Sequence, residues 1–318
     1  MAGGPLTVGV FSPSVLLRAG RRLGLVDPGV REQPVASSPA QFAALLDGTL
    51  DAALTSPDNV IAHRFVRVDP LDVRIVSAVD RGLGLALYAR PGLASAAELK
   101  GQVAGVDVPD SGFAFALYAA MEAVGLARGD YRTVALGSTP RRLDALLGGG
   151  CAATMLNAGS ELRAEDAGAV RLAGAPRPYL GTVLCAPGPT LDGPASGTRD
   201  STTRDSSTHD GSTRDGGRGG VRALASALSA TARAILAGDA DTIVVEEAMA
   251  ALHLPRDTAA RYLNRLKDPD EGLIADGRPD PAALTTILTL RRRHGTAPPG
   301  DLLTQGLLER GLLDRGAR

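Results

Sequence analysis

One local unit recurs along this chain and limits what it can fold into. A short apolar run ends on a polar turn of Ser, Thr, Asp, Asn or Pro, and an amphipathic stretch follows. Its fullest form is residues 103–125, VAGVDVPDSGFAFALYAAMEAVG. The run reads as a buried strand, Pro109-Asp110-Ser111-Gly112 as the turn, and the rest as a helix. The free N–H groups at such a helix start, together with the helix dipole, can hold a carboxylate, sulfonate or phosphate. A single turn of this kind is equally an ordinary capped connection. Its repetition along the chain points to a small-molecule site between two lobes.

The first block runs from residue 6 to residue 79. Residues 6–11 (LTVGVF) form a strand, Ser12-Pro13-Ser14 a turn, and 15–23 a helix. A strand over 30–35 leads through Ser37-Ser38-Pro39 into a helix over 40–47. A strand over 50–54 meets Thr55-Ser56-Pro57-Asp58-Asn59, which opens another helix, and 73–79 is a fourth strand. This βαβαβαβ order predicts a mostly parallel sheet covered by helices, with ligands beyond the carboxyl ends of its strands.

Asp80-Arg81-Gly82-Leu83-Gly84 interrupts that order, and a second block then repeats it. Strands are expected over 85–89, 131–136, 151–156, 170–173 and 180–186, besides the one opening the 103–125 unit. Ser138-Thr139-Pro140 caps a helix over 141–147, Asn157 ends a strand, and 160–167 is helical. Residues 187–220 are Gly- and Ser-rich with TRDS-like near-repeats and almost no apolar side chains, so they are expected to be a disordered insertion. Beyond them the chain reads as helical over 221–238, 241–252, 255–266 and 282–293, with a last helix near 302–313. The strings Arg21-Arg22 and Arg291-Arg292-Arg293 read as solvated helix ends. The expected organisation is one lobe from 1–81 and 183–318 and a second from 82–182, hinged near residues 80–84 and 179–182.

Composition narrows the function. The 318 residues are 44% hydrophobic and 22% charged, with a net charge of −1, so nothing marks a nucleic-acid or anionic-membrane partner. Aromatic residues make up 3% and Trp is absent, which disfavours a site built on stacked rings. Cys151 and Cys185 lack metal-ligand spacing, and no metal or cofactor is expected. The N-terminal MAGGPLTVGVF enters a strand without a basic or long apolar leader, and no later stretch is long enough to span a bilayer. The chain as it stands therefore reads as cytoplasmic, and as periplasmic or lipid-anchored extracellular if a leader has been removed.

Several stretches carry a family resemblance: LTVGVF, SSPAQFAALLDGTLDAALTSPDN, DRGLGLALYARPG, LKGQVAGVDVPDSGFAFAL and GDYRTVALGSTPRRLDALLGGGCAATMLN. With the late helical region they resemble type 2 periplasmic solute-binding proteins of ABC transporters. The branch they look like is the sulfonate/taurine/nitrate and thiamine-pyrimidine precursor group. The resemblance implies an α/β, two-lobed type 2 periplasmic-binding-protein-like fold with a hinge and a helical C-terminal part. It implies a small polar or anionic ligand in the interlobe cleft, and an ABC transporter permease as partner if the chain is exported. Carried onto this sequence, the ligand-lining turns hold Ser12 and Ser14; Ser56, Asp58 and Asn59; Asp80 and Arg81; Ser111, Gly112 and Phe113; Ser138 and Thr139; and Asn157. The strand–turn–helix pattern selects the same positions. Asp58 and Asn59 recognise an amine or amide, or cap a helix. Arg81 pairs with Asp80 or with a ligand anion. Phe113 packs on a ligand ring or in the core.

The alternative is a cytoplasmic biosynthetic or lyase-like enzyme on the same fold. Enzymes of the resembling group that make the thiamine pyrimidine from pyridoxal phosphate need a lysine and a histidine after the third strand. An ungapped comparison puts Thr55 and Asn59 there, and their Cys-rich motif is missing. Lys100 and Lys267 are the only lysines, and neither sits where an aldimine would form. Chorismate-dehydratase-like or decarboxylase-like chemistry needs only a positioned acid or base, for which Asp58, Asp80 and Asp110 are the candidates.

Overall fold

A computed structural model of the protein describes residues 6–192, 217–310 and 312. The first block comprises β1 (Thr7–Val10), α1 (Val15–Arg22), β2 (Arg31–Pro34), α2 (Ser38–Leu46), β3 (Ala52–Thr55), α3 (Pro57–Ile61) and β4 (Val73–Asp80). The second comprises β5 (Ala86–Ala89), β6 (Val103–Val106), α4 (Gly112–Ala123), β7 (Arg132–Ala135), α5 (Thr139–Leu147), β8 (Ala153–Leu156), α6 (Ser160–Asp166) and β9 (Val170–Gly174). The chain then returns through β10 (Thr182–Pro187) and α7 (Gly188–Asp192). It ends in α8 (Gly217–Ala237), α9 (Asp241–Leu252), α10 (Arg256–Lys267) and α11 (Pro281–His294).

Two five-stranded sheets result, ordered β2-β1-β3-β10-β4 and β7-β6-β8-β5-β9. In the first, β1 runs parallel to β2 and β3, while β10 lies antiparallel between β3 and β4. In the second, β6 runs parallel to β7 and β8, while β5 lies antiparallel between β8 and β9. The antiparallel strand of each sheet is the one the chain enters after crossing from the other. Both sheets are thus the same mixed design, and their parallel strands aim their carboxyl ends at the space between the lobes.

Serines start four of the helices. Ser14, Ser37, Ser56 and Ser111 each accept the N–H three residues on, at 3.2, 3.4, 3.3 and 3.0 Å. Such caps satisfy one of the orphan donors of a first turn and stabilise it by about 1 kcal/mol each. Val8, Val10, Ala52 and Leu54 pack one face of the first sheet against α1, α8, α9 and α10. Its other face, through Ala53 and Ile75, packs with Phe42 of α2 in a core that continues into the second lobe through Leu87, Phe115 and Leu117. Ile287 and Leu290 of α11 join that same core.

The C-terminal tail departs from the expected helix at 302–313. Leu308 instead pairs with Ile75, so that Ile75 donates to Leu307 O (2.9 Å) and Glu309 donates to Ile75 O (2.8 Å). Farther along β4, Ile274 donates to Val79 O and Ala78 to Gly277 O. These two segments cover the outer edge of β4, whose bare N–H and C=O groups would otherwise recruit another chain. The expected insertion 187–220 is also narrower at both ends. Pro187 closes β10, residues 188–192 form α7 with Leu191 buried, and 217–220 begin α8. Its middle, 193–216, lies outside the described residues.

Candidate ligand-binding cleft

A cavity of about 140 Å³ lies between the lobes, beyond the carboxyl ends of strands from both sheets. Nine of the thirteen sequence-selected residues line it: Ser12, Ser14, Ser56, Asn59, Asp80, Phe113, Ser138, Thr139 and Asn157. The hydroxyls of Ser12 and Ser138 make no side-chain hydrogen bond among the described residues, which leaves them for a ligand. Asn59 donates to Thr55 Oγ1 at 2.9 Å, and Asn157 Nδ2 donates to Gly82 O at 3.4 Å. The opposite wall is apolar, built from Val15, Leu16, Leu83 and, from the helical C-terminal part, Tyr262, Leu266 and Leu273.

Asp80 lines the cavity but is committed to the crossing. It accepts from the Gly82 N–H at 2.8 Å and from Thr182. Burial raises its pKa, and those donors oppose the rise. Arg81 does not pair with it. Its backbone N–H and its guanidinium bond the segment 272–273 instead, the latter at Leu273 O (2.7 Å), and Arg81 itself does not line the cleft.

The remaining three positions form a junction between the lobes. Asp58 holds Arg291 in a bidentate pair, Oδ1 to Nε at 2.6 Å and Oδ2 to Nη2 at 2.7 Å. The two residues are 1% and 2% exposed. Asp58 also accepts the N–H of Gly112. Burial raises the Asp58 pKa, and Arg291 and that N–H pull it back. The anion seated at the N-terminus of α4 is therefore the chain's own carboxylate from the other lobe, and this turn is not an open cradle for a ligand. Gly112 permits the approach, since a Cβ there would stand 2.6 Å from Asp58 Cβ. Ser111 is buried as the α4 cap, with its hydroxyl donating to Asp107. The reading of Arg291 as a solvated helix end fails for the same reason: Asp58 lies 233 residues away in sequence and directly against it in space.

Sequence reasoning missed a buried cation in the cleft, which shares the cavity wall with Asp107. Arg142 lines the cavity and is 1% exposed. Its hydrogen bonds all go to neutral acceptors: Met155 O (3.3 Å), Gly137 O (2.7 Å) and Thr139 Oγ1 (3.0 Å). Its Cζ stands 5.7 Å from the centroid of the Phe113 ring. Burial lowers its pKa, with Asp107 opposing, yet a guanidinium stays charged in a protein. The signal was in the sequence. Thr139, Leu143 and Leu146 mark the buried stripe of α5, and Arg142 falls on it.

Backbone strain collects at the same place. Leu83 and Ala158 have φ of +47° and +53°, left-handed values that side-chain-bearing residues seldom adopt. Both line the cavity, and the Ala158 N–H bonds Leu83 O at 3.0 Å. Each such residue costs on the order of 1 kcal/mol, and strain of this kind clusters at ligand sites. Among the described residues, no group of three or more His, Cys, Asp or Glu is placed to hold a metal ion, and no helix is long and apolar enough to cross a membrane.

Neither a known family profile nor a curated protein sequence matches the chain. Solved structures do. The nitrate-binding protein NrtA from Synechocystis PCC 6803 superposes with a TM-score of 0.73 at 11% identity, over 98% of this chain and 88% of that one. The alkanesulfonate-binding protein SsuA from Xanthomonas axonopodis pv. citri, bound to MOPS, gives 0.67 at 15% identity, over 98% and 96%. A ligand-binding component of an ABC-type import system from Staphylococcus aureus, with zinc bound, gives 0.71 at 14%, over 98% and 99%. The fold is that of the periplasmic binding proteins. The periplasmic-binding-protein fold accounts for the doubled sheet order and the two crossings, and its interlobe cleft is where Arg142 and the strained pair lie.

Proposed function

We propose that this chain is a non-catalytic small-molecule receptor whose lobes close on a ligand bearing an anionic group, and that Arg142 holds that group. The observation that carries the reading is Arg142 itself: a buried guanidinium on the cavity wall, bonded only to neutral oxygens. An unpaired buried cation costs several kcal/mol, and a bound anion removes that cost. The Ser12 and Ser138 hydroxyls supply directional hydrogen bonds, and the apolar wall takes the ligand body. The named nitrate- and sulfonate-binding structures bind anions, which supports the same class here. The similarity to a ligand-binding component of an ABC-type import system supports delivery to a membrane permease as the physiological role.

The receptor reading is favoured over the enzyme alternative because the candidate acids are engaged by the chain's own groups or lie off the cavity, Asp80 being the one that lines it. Asp58 is paired with Arg291, Asp80 is held by Gly82 and Thr182, and Asp110 is exposed and does not line the cavity.

The test is calorimetric titration with sulfonates, small carboxylates, nitrate and matched neutral amides. One anion class is expected to bind and to be recovered unchanged by mass spectrometry. Arg142→Gln is expected to weaken that binding by about 100-fold or more, the scale of a lost buried charge pair. Equal binding of a neutral analogue, or an unchanged affinity in Arg142→Gln, defeats the anion reading. A converted ligand defeats the receptor reading.

A further inference from the structure

The crossings between the lobes have two faces. Asp80, Gly181 and Thr182 line the cleft, whereas their neighbours Arg81 and Leu180 line a separate cavity of about 460 Å³. Its walls come from three places: the first crossing at Arg81, the second at 177–180, and the linker from α10 to α11 at 269–280. Three arginines face it. Arg177 is occupied, with Nη1 on Asp270 O at 2.6 Å and Nη2 on Glu271. Arg81 spends one guanidinium nitrogen, Nη1, on Leu273 O at 2.7 Å. Arg278 is half-buried, and its guanidinium makes no hydrogen bond or ion pair among the described residues. Of the two wall carboxylates, Asp280 is used as the α11 cap (2.8 Å to the Ala282 N–H) and Asp270 is exposed.

We infer that this hinge cavity is a second ligand site, separate from the cleft, that takes the phosphate group of a small phosphorylated molecule between Arg81 and Arg278. Arg81, with its other guanidinium nitrogens unused, and Arg278, which also borders a neighbouring cavity beside Asp276, supply N–H donors of the kind that suit a tetrahedral oxyanion. Among the described residues both lack a carboxylate partner within ion-pair distance, so a phosphate displaces no ion pair there. The cavity's volume falls within the size range of small-molecule pockets. Pro178, Pro269 and Ile274 give the non-phosphate part of the ligand an apolar surface. Because both crossings form its walls, rotation of one lobe against the other changes the shape of the cavity. The phosphate ligand and the cleft ligand are therefore linked, and each alters the affinity of the other by the same factor. The proposal stands on the hinge cavity alone and does not depend on what the cleft holds.

The test uses inorganic phosphate and pyrophosphate as probes, titrated calorimetrically at constant ionic strength into the full chain and three variants. At least one saturable site is expected in the unmodified protein, and it is the site that persists in Arg142→Gln. Arg278→Gln is expected to weaken it about tenfold or more with an unchanged melting temperature, since that side chain bonds nothing. Arg81→Gln is expected to weaken it as well, and Arg142→Gln to leave it intact. No saturable binding, or full binding in Arg278→Gln, overturns the site. Loss of phosphate binding in Arg142→Gln alone also overturns it, and would place the anion in the cleft instead.

Discussion

Two buried side chains give the fold opposite responses to pH. Glu161 lies wholly buried in the first turn of α6, with Oε2 accepting the Gly159 N–H at 2.7 Å and Oε1 unpartnered. Burial raises its pKa to about 7 from 4.5. Between those values the folded chain keeps a proton that the unfolded chain has released. Its contribution to stability is full below pH 4.5 and is lost as the pH rises through 7. His63 behaves in reverse. Its ring stacks on Phe42 at 3.9 Å, Nε2 meets Ser38 Oγ at 3.3 Å, and burial, with help from Arg67 and Arg291, lowers its pKa to about 4 from 6.5. The folded histidine stays neutral while the unfolded one charges, so its contribution is full above pH 6.5 and lost as the pH falls to 4. Glu161→Gln keeps the acceptor and removes the ionisation. It is expected to stabilise the protein by about 3 kcal/mol at pH 8 and to change nothing at pH 4, as read by denaturant unfolding at the two pH values. Equal stability at pH 8 would mean that the carboxylate is accommodated in its charged form.

Among the elements, α11 does the most to join distant parts of the chain. Arg291 pairs with Asp58 at the start of α3 and also donates to Asp110 O (3.3 Å) in the second lobe, while His294 stacks against Phe115 of α4. Removing one partner leaves a buried charge alone. Asp58→Asn or Arg291→Met is therefore expected to cost about 3–5 kcal/mol, and the double variant to recover a large part of the loss. A double-variant cycle in denaturant measures this, and strictly additive losses would show that the pair is not coupled. The strands, the serine caps and the two crossings were legible in the sequence because their signals are local: an apolar run, an Ser–Pro turn, a break in period. What was not legible depends on meetings across long stretches of chain. The Asp58–Arg291 pair, the Leu308–Ile75 bridge and the reach of Tyr262 and Leu266 into the cleft are of this kind. Arg142 is an intermediate case, since its place on the apolar stripe of α5 is local but an arginine reads by default as a surface residue.

At the scale of the whole molecule, the sequence predicts two lobes hinged at two crossings. The structure adds a clasp on either side of the second lobe. On one flank α11 packs on α4, and Asp58 seats in the α4 N-terminus against Gly112. On another, α10 grips α6, where Thr258 Oγ1 donates to Asp166 at 2.5 Å and Arg261 pairs with Glu165 and Asp166. Opening the cleft has to separate these contacts as well as bend the crossings, so they resist opening before any ligand contributes. Gly112 is the point at which this can be tested without touching a charge or a cleft residue. Its φ lies outside the left-handed region, so alanine is tolerated by the backbone there, but its Cβ would meet Asp58 Cβ at 2.6 Å. Gly112→Ala is expected to push the lobes apart at this junction. The ligand-free protein should then show a larger radius of gyration by small-angle X-ray scattering, and a cleft ligand should leave faster, with the affinity loss carried by the dissociation rate. Because the cleft surface itself is unchanged, the rank order of ligands should be that of the unmodified protein. An unchanged radius together with an unchanged dissociation rate would show that the junction absorbs a methyl group locally, and the clasp would then play no part in closing the cleft.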